Sequence, residues 1–208
     1  MNPYSQTGPL MSRPHRDYFN NLADEWNTLM PDNDSLRDHL IRFGIQEGDI
    51  VLDIGAGTGR MTHHLSELTG EKGFVVAEDV AIKMLTNGKS VMTDRAHWLC
   101  DTVDQLAIKN SVFHKILCFS AFPHFQSPSS ALKEMHRVLK PGGELLILHL
   151  SSSDQLNRFH ASLDGIVNQD RLGSAHELSA LCEKCGFEPV LSEEKDQHYW
   201  VQVRKSAQ

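Results

Sequence analysis

The run Asp53-Ile54-Gly55-Ala56-Gly57-Thr58-Gly59-Arg60 carries the first chemical signal in the chain. Glycines at alternate positions let a backbone turn tightly and come close to a ligand. A short apolar run precedes them and a helical stretch follows. The free N–H groups at the start of that helix therefore point at the same place. A dinucleotide fingerprint would put its third glycine at position 60, where Arg60 stands. Asp53 sits directly ahead of the glycines. Its carboxylate would repel a pyrophosphate, but it suits a cationic ligand. The plainer role for Asp53 is a strand-end cap.

Histidine, at 12 residues, is the second signal. His124 and His149 follow strand-like runs, and His160 lies a little further on. Three readings are open. Each ring satisfies a local hydrogen bond of the scaffold. Alternatively, the three meet substrate or move a proton, because imidazole titrates near neutral pH. Or they hold a zinc- or nickel-like ion. No metal is assigned from these positions. Cys182-Glu183-Lys184-Cys185 has metal-site spacing, but zinc needs four ligands and there is no second such pair, so it reads as structural.

An alternating frame is needed to position these groups. Short apolar runs read as strands at Asp49–Ile54, Phe74–Ala77, His97–Cys100, His114–Phe119, Glu144–Leu150, Pro189–Glu193 and Tyr199–Arg204. Helical periodicity marks Tyr18–Trp26, Asp34 or Ser35 to Phe43, Arg60–Leu68, Ile82–Met92, Ser129–Leu139 and Leu178–Cys185. Lys140-Pro141-Gly142-Gly143 reads as a turn. Strands alternating with helices imply a parallel sheet covered on both faces. Ligands of such sheets bind at the carboxyl ends of the strands, at the topological switch point.

At 208 residues, 40% apolar and 23% charged, the chain is an ordinary globular domain. Residues 1–15 read as a flexible tail and 16–208 as a single domain. The net charge of −7 offers no basic field for a phosphate backbone, so nucleic acid is not an expected partner. Anionic membrane is disfavoured likewise, and no apolar run suits membrane insertion. Met1 to Pro14 has no apolar core of a secretory signal. The expected compartment is the cytoplasm, with the four cysteines as free thiols.

Val51 to Arg60 resembles the cofactor loop of class I S-adenosylmethionine-dependent methyltransferases. ALKEMHRVLKPGG, Ala131 to Gly143, is similar to the helix and turn before strand five of that family. FNNLADEWN, Phe19 to Asn27, resembles the N-terminal signature of the ubiquinone/menaquinone C-methyltransferases and their relatives. The resemblance implies a Rossmann-like α/β fold, with a seven-stranded, mostly parallel sheet and its last strand antiparallel. It implies S-adenosylmethionine as cofactor and S-adenosylhomocysteine as product. Asp53, Gly55, Ala56, Gly57 and Gly59 would surround the methionine part. Asp79 would take both ribose hydroxyls, with Glu78 as its competitor. Val80 and Met84 would line the adenine, and Asp101 would accept from its amino group beside Thr102. The backbone near Cys118 would meet the methionine amino group.

The same resemblance puts His124 beside the transferable methyl group and makes residues 16–45 and 151–176 a substrate cover. Two positions depart from the family pattern: His114 follows Phe113, and Ser127 precedes Pro128, where the family often has aspartate. Neither usually touches the cofactor. The reaction expected is methyl transfer to a small-molecule acceptor, with His124, His149 and His160 as the catalytic candidates. A second copy of the chain is the other candidate partner. The alternatives are a regulatory module that binds S-adenosylmethionine without turning it over, and a nucleotide-dependent oxidoreductase. Asp53 and Arg60 count against the latter.

Overall fold

Alternating apolar residues set the two faces of the sheet in the computed structural model, which describes residues 13–30, 35–91, 96–207. The strands are β1 (Ile50–Ile54), β2 (Phe74–Asp79), β3 (Ala96–Cys100), β4 (Phe113–Phe119), β5 (Leu139–His149), β6 (Phe187–Lys195) and β7 (His198–Lys205). They form one seven-stranded sheet in the order β3-β2-β1-β4-β5-β7-β6. β1 to β5 pair in parallel, and β7 inserts antiparallel between β5 and β6. The expected sheet is therefore present, antiparallel last strand included.

Side chains of successive strand residues point to opposite faces. Leu52, Ile116, Ile147 and Val201 pack on one face with Leu132 and Met135 of α6 (Pro128–Val138) and Leu178 of α8 (Ala175–Lys184). Val51, Leu117, Leu146 and Trp200 pack on the other. There they meet Leu36, Leu40 and Phe43 of α3 (Ser35–Phe43) and Met61 and Leu65 of α4 (Arg60–Thr69). Part of the expected cover, α3, is thus a core helix. Asp34, the alternative cap of that helix, lies outside the described residues.

The N-terminal stretch contains a break that periodicity did not show. α1 runs Arg13–Leu22 and α2 runs Trp26–Leu29, so the aromatics at 18, 19 and 26 come from two helices. The first turn of α1 falls inside the stretch expected as tail, and His15 within it is buried. The rest of that stretch lies outside the described residues. Phe19, Leu22, Ala23 and Trp26 pack on Ala81 and Met84, Met84 belonging to α5 (Ile82–Val91). Asn87 of α5 donates to the Ala23 carbonyl at 3.0 Å.

Lys140 to Gly143 are part of β5, where a register shift between Phe113 and Lys115 accommodates them. α7 (Ser153–Ala161) starts on a capping box, with Ser152 and Gln155 bonding each other's backbone N–H. A 3-10 turn at Ile166–Gln169 follows it. No helix among the described residues is long and apolar enough to cross a membrane.

Candidate cofactor and acceptor site

Strand order reverses between β1 and β4, and their carboxyl ends open into a cleft of about 1070 Å³, its mouth included. The glycine loop forms the floor. Gly55, Gly57 and Gly59 all have positive φ, at 66°, 57° and 86°. A Cβ on Gly55 would stand 2.3 Å from the Cβ of Ala121, so the loop can lie against the β4 exit only as glycine. From above, Trp26 closes on Gly57: its Nε1 would be 3.4 Å from a Cβ there. Thr58 Oγ1 donates to Asn27 Oδ1 at 2.5 Å, tying α2 to the same loop.

Carboxylates surround that floor. Asp53 is buried and accepts from Thr62 Oγ1 at 2.6 Å. Burial pushes its carboxyl up to about 7, against the Thr62 bond, and Asp79 adds to the rise. Glu78 is buried and accepts from the Gly55 N–H. Burial and the neighbouring charges of Asp79 and Asp101 drive it well above the usual carboxylate range. Asp79 accepts from Gly57 N–H at 2.9 Å through Oδ2 and from Ala81 N–H at 2.8 Å through Oδ1. Burial raises its pKa, and those two N–H bonds oppose the rise. Each Asp79 oxygen keeps a further lone pair for a hydroxyl.

Val80, Met84, Thr102, Ala56 and Gly57 line the cleft as the resemblance implied. Three expected positions differ. Gly59 is not among the lining residues; it is the left-handed N-cap of α4. Cys118 is fully buried in the core, and the cleft wall from that segment begins at Phe119 and Ser120. Asp101 is not among the lining residues either; it accepts from Thr102 N–H at 2.8 Å and Ala107 N–H at 2.7 Å. Asp104, in the same loop, lines the cleft instead, and its buried Oδ1 has no hydrogen-bond partner among the described residues. Sequence offered a signal for it only as a second acid three residues on.

This donor set fits S-adenosylmethionine. Carboxyl oxygens accept from a diol and an ammonium, and those that are ionised attract a sulfonium and repel a pyrophosphate. The partnerless Asp104 oxygen offers an acceptor at the cleft wall. Asp79→Ala is expected to weaken S-adenosylhomocysteine binding by about 1.5–3 kcal/mol, the range for charged hydrogen bonds. Calorimetric titration checks this, and an unchanged affinity would transfer the ribose role to Glu78.

The histidines meet at the cleft edge around a residue the sequence did not single out. His124 closes the 3-10 turn Phe122–His124 after β4 and lines the cleft. Its Nδ1 lies 2.6 Å from Asp170 Oδ2. His15 Nε2 lies 3.0 Å from both Asp170 oxygens. His160 Nδ1 is 3.3 Å from the Asp170 carbonyl oxygen, and its ring centre is 5.2 Å from that of His124. Burial alone would raise the Asp170 carboxyl, but the His124 and His15 bonds hold it below its ordinary value. His15 and Asp170 are 155 residues apart, so no local pattern announces the pair.

His149 stands apart from this group. It is buried, meets Tyr199 edge-on at 5.5 Å, does not line the cleft, and its Nε2 has no partner among the described residues. Burial, then the charges of His124 and His160, lower its pKa to about 3. Between about pH 3 and 6.5 the unfolded chain binds a proton there that the folded chain does not. His149 thus makes stability rise with pH across that window. Asp53 works in the opposite sense between about pH 4 and 7, where only the folded chain keeps its proton. Replacing His149 with Gln removes the first of these slopes. Relative to the parent, His149→Gln is expected to gain stability toward acid, by up to about 1.4 kcal/mol per pH unit. Urea midpoints between about pH 4.5 and 6.5 measure it; a constant difference would mean that His149 titrates normally.

Comparison with known proteins agrees with this geometry. Residues 51–143 match a family model described as a methyltransferase domain. The ubiquinone/menaquinone biosynthesis C-methyltransferase of Vibrio cholerae is 34% identical over 113 residues, which are 52% of this chain and 44% of that one. The enzyme of that name from Haemophilus ducreyi is 28% identical over 174 residues, 71% of this chain and 67% of that one. The chain thus spans about half the length of the first of these relatives and two thirds of the second. In fold, it is similar to a SAM-dependent methyltransferase from Aquifex aeolicus, with a TM-score of 0.70 and 22% identity over 91% of this chain and 97% of that one. Acid-ringed glycine loop, sheet order and matched segment agree: residues 51–143 match a methyltransferase domain, and the fold is that of S-adenosylmethionine-dependent methyltransferases.

Proposed function

We propose that the chain methylates a small molecule whose nucleophilic form must lose a proton, with His124 receiving that proton. The observation that carries this reading is the Asp170–His124 pair at the rim of the acid-lined cleft. A neutral imidazole whose Nδ1–H is held by a carboxylate keeps a lone pair on Nε2, aimed away from that carboxylate. The cofactor supplies an electrophilic methyl group, whose bond to sulfur breaks as the bond to the acceptor forms.

The residues of the chain position, exclude water and take the proton. Asp79 holds the ribose, Asp53 and the glycine loop the methionine part, and Asp104 the adenine amino group. Phe19, Trp26, Phe119 and Phe125 form an apolar wall against water. Asp170 and, behind it, His15 and His160 fix the His124 ring. His149 serves the scaffold.

An acceptor with apolar bulk and an acidic O–H or enolic C–H suits this wall and base. The relatives named above methylate carbon in quinone biosynthesis, and a hydroxylated aromatic ring falls in that chemical class. Two measurements test the reading. S-adenosylhomocysteine should bind in calorimetry while nicotinamide dinucleotides do not. Labelled methyl should then pass to at least one member of a panel of phenols, quinols and enols. Binding of a nicotinamide dinucleotide would restore the oxidoreductase alternative. Cofactor binding with no transfer to any acceptor would favour the regulatory module.

A further inference from the structure

The cluster at the cleft edge has a second use that proton transfer does not require. We infer that His15 Nε2, His124 Nδ1 and the Asp170 carboxylate form a binding site for one divalent first-row transition ion, such as zinc or cobalt. These three ligand atoms lie within 4.8 Å of one another. Ligands at about 2.0–2.2 Å from a tetrahedral ion stand roughly 3.3–3.5 Å apart, so shifts of about an ångström close the set. Two imidazoles with one carboxylate and no thiolate suit zinc, cobalt, nickel or ferrous iron.

The three residues come from separate parts of the fold: α1, the 3-10 turn after β4, and the segment between Gln169 and α8. Folding therefore assembles the set. His15 and Asp170 side chains are only 7% and 10% exposed, and that of His124 17% exposed. Such burial limits competition from water. His160 bonds the Asp170 backbone carbonyl and so helps to hold the segment that carries the carboxylate. His15 and His124 both line the cleft, so the site borders it. Three protein ligands with an open position are the arrangement of ions that meet small molecules rather than staple folds.

Ion and proton compete at this cluster. In the metal-free state the imidazole nitrogens facing Asp170 carry hydrogens. An ion takes those lone pairs, the hydrogen of His124 then sits on Nε2, and that ring no longer accepts a proton from the acceptor. The inference goes beyond the methyl-transfer reading, and its readout needs neither cofactor nor acceptor, so each can fail without the other.

The test is titration of the metal-stripped full chain with zinc in competition with a chromogenic chelator, and with cobalt followed by visible absorption. The expected result is one ion per chain, with cobalt bands of four- or five-coordinate intensity. His15→Gln and Asp170→Asn, each checked by circular dichroism for retained fold, should weaken zinc at least about tenfold. Replacing His39 and His198, a stacked pair elsewhere on the surface, should leave it unchanged. No binding, or binding indifferent to both cluster variants, would overturn the inference. Loss of binding on replacing His39 and His198 would overturn it equally.

Discussion

His124→Ala is expected to lower kcat by about 10²–10⁴-fold, the range for a positioned acid–base group, while S-adenosylhomocysteine affinity stays unchanged. The split follows from position. His124 lines the cleft from the turn after β4, and the groups assigned to the cofactor come from β1, β2 and the loop after β3. Asp170→Asn is the sharper variant, because it keeps the shape of the cluster. Its amide can donate to His124 Nδ1, which moves the ring hydrogen to Nε2 and removes the base without removing the ring. A comparable fall in kcat with unchanged KM is expected. An acceptor methylated at parental rate by both variants would leave the cluster with scaffold and metal roles only.

The other large effect is expected at Gly55. A Cβ there would overlap the Ala121 side chain at 2.3 Å, and the φ of 66° is disfavoured for an L residue besides. Overpacking of about 1–3 kcal/mol and a left-handed cost of about 1–2 kcal/mol combine to a destabilisation of about 2–5 kcal/mol for Gly55→Ala. Cofactor binding should fall at least tenfold, because the Glu78–Gly55 contact and the path of the loop shift together. Gly142→Ala is the matched control. Its φ is 77°, but nothing lies within 4 Å of the added carbon, so only the backbone cost remains. Thermal melts and titrations of both variants compare crowding with conformation directly. Equal losses in the two would show that the approach to Ala121 is not what makes Gly55 necessary.

Features written in neighbouring residues were legible before the structure. The glycine loop, its leading aspartate and the alternation of strands and helices each depend on a few consecutive positions. The residues of β4 need only apolar character to be placed in a strand, and Ile116, Leu117 and Cys118 all sit in the core. Partnerships across the chain were not legible. Asp170 lies in the polar run Asn168-Gln169-Asp170-Arg171, and nothing local marks it as the residue on which His15 and His124 converge. Asp101 is a related case. Its bonds to the amides of Thr102 and Ala107 depend on how the loop folds back, which no neighbouring residues announce. Residues on both sides of the break between α1 and α2 pack on Ala81 and Met84, a long-range contact that the aromatic spacing could not convey.

The insertion of β7 between β5 and β6 has a consequence for synthesis. While the chain emerges, β5 can pair with β4 as soon as both are made, but its other edge has no partner until residues 198–205 appear. That edge carries Leu145, Leu146, Ile147 and Leu148, an unbroken apolar stretch in extended form. Exposed strand edges of this kind pair readily with other chains. Nascent chains stalled before β7 should therefore be the species most prone to aggregate and to occupy chaperones. β6 and β7 are adjacent in sequence, joined through Asp196 and Gln197, so the hairpin can form locally and dock as a unit.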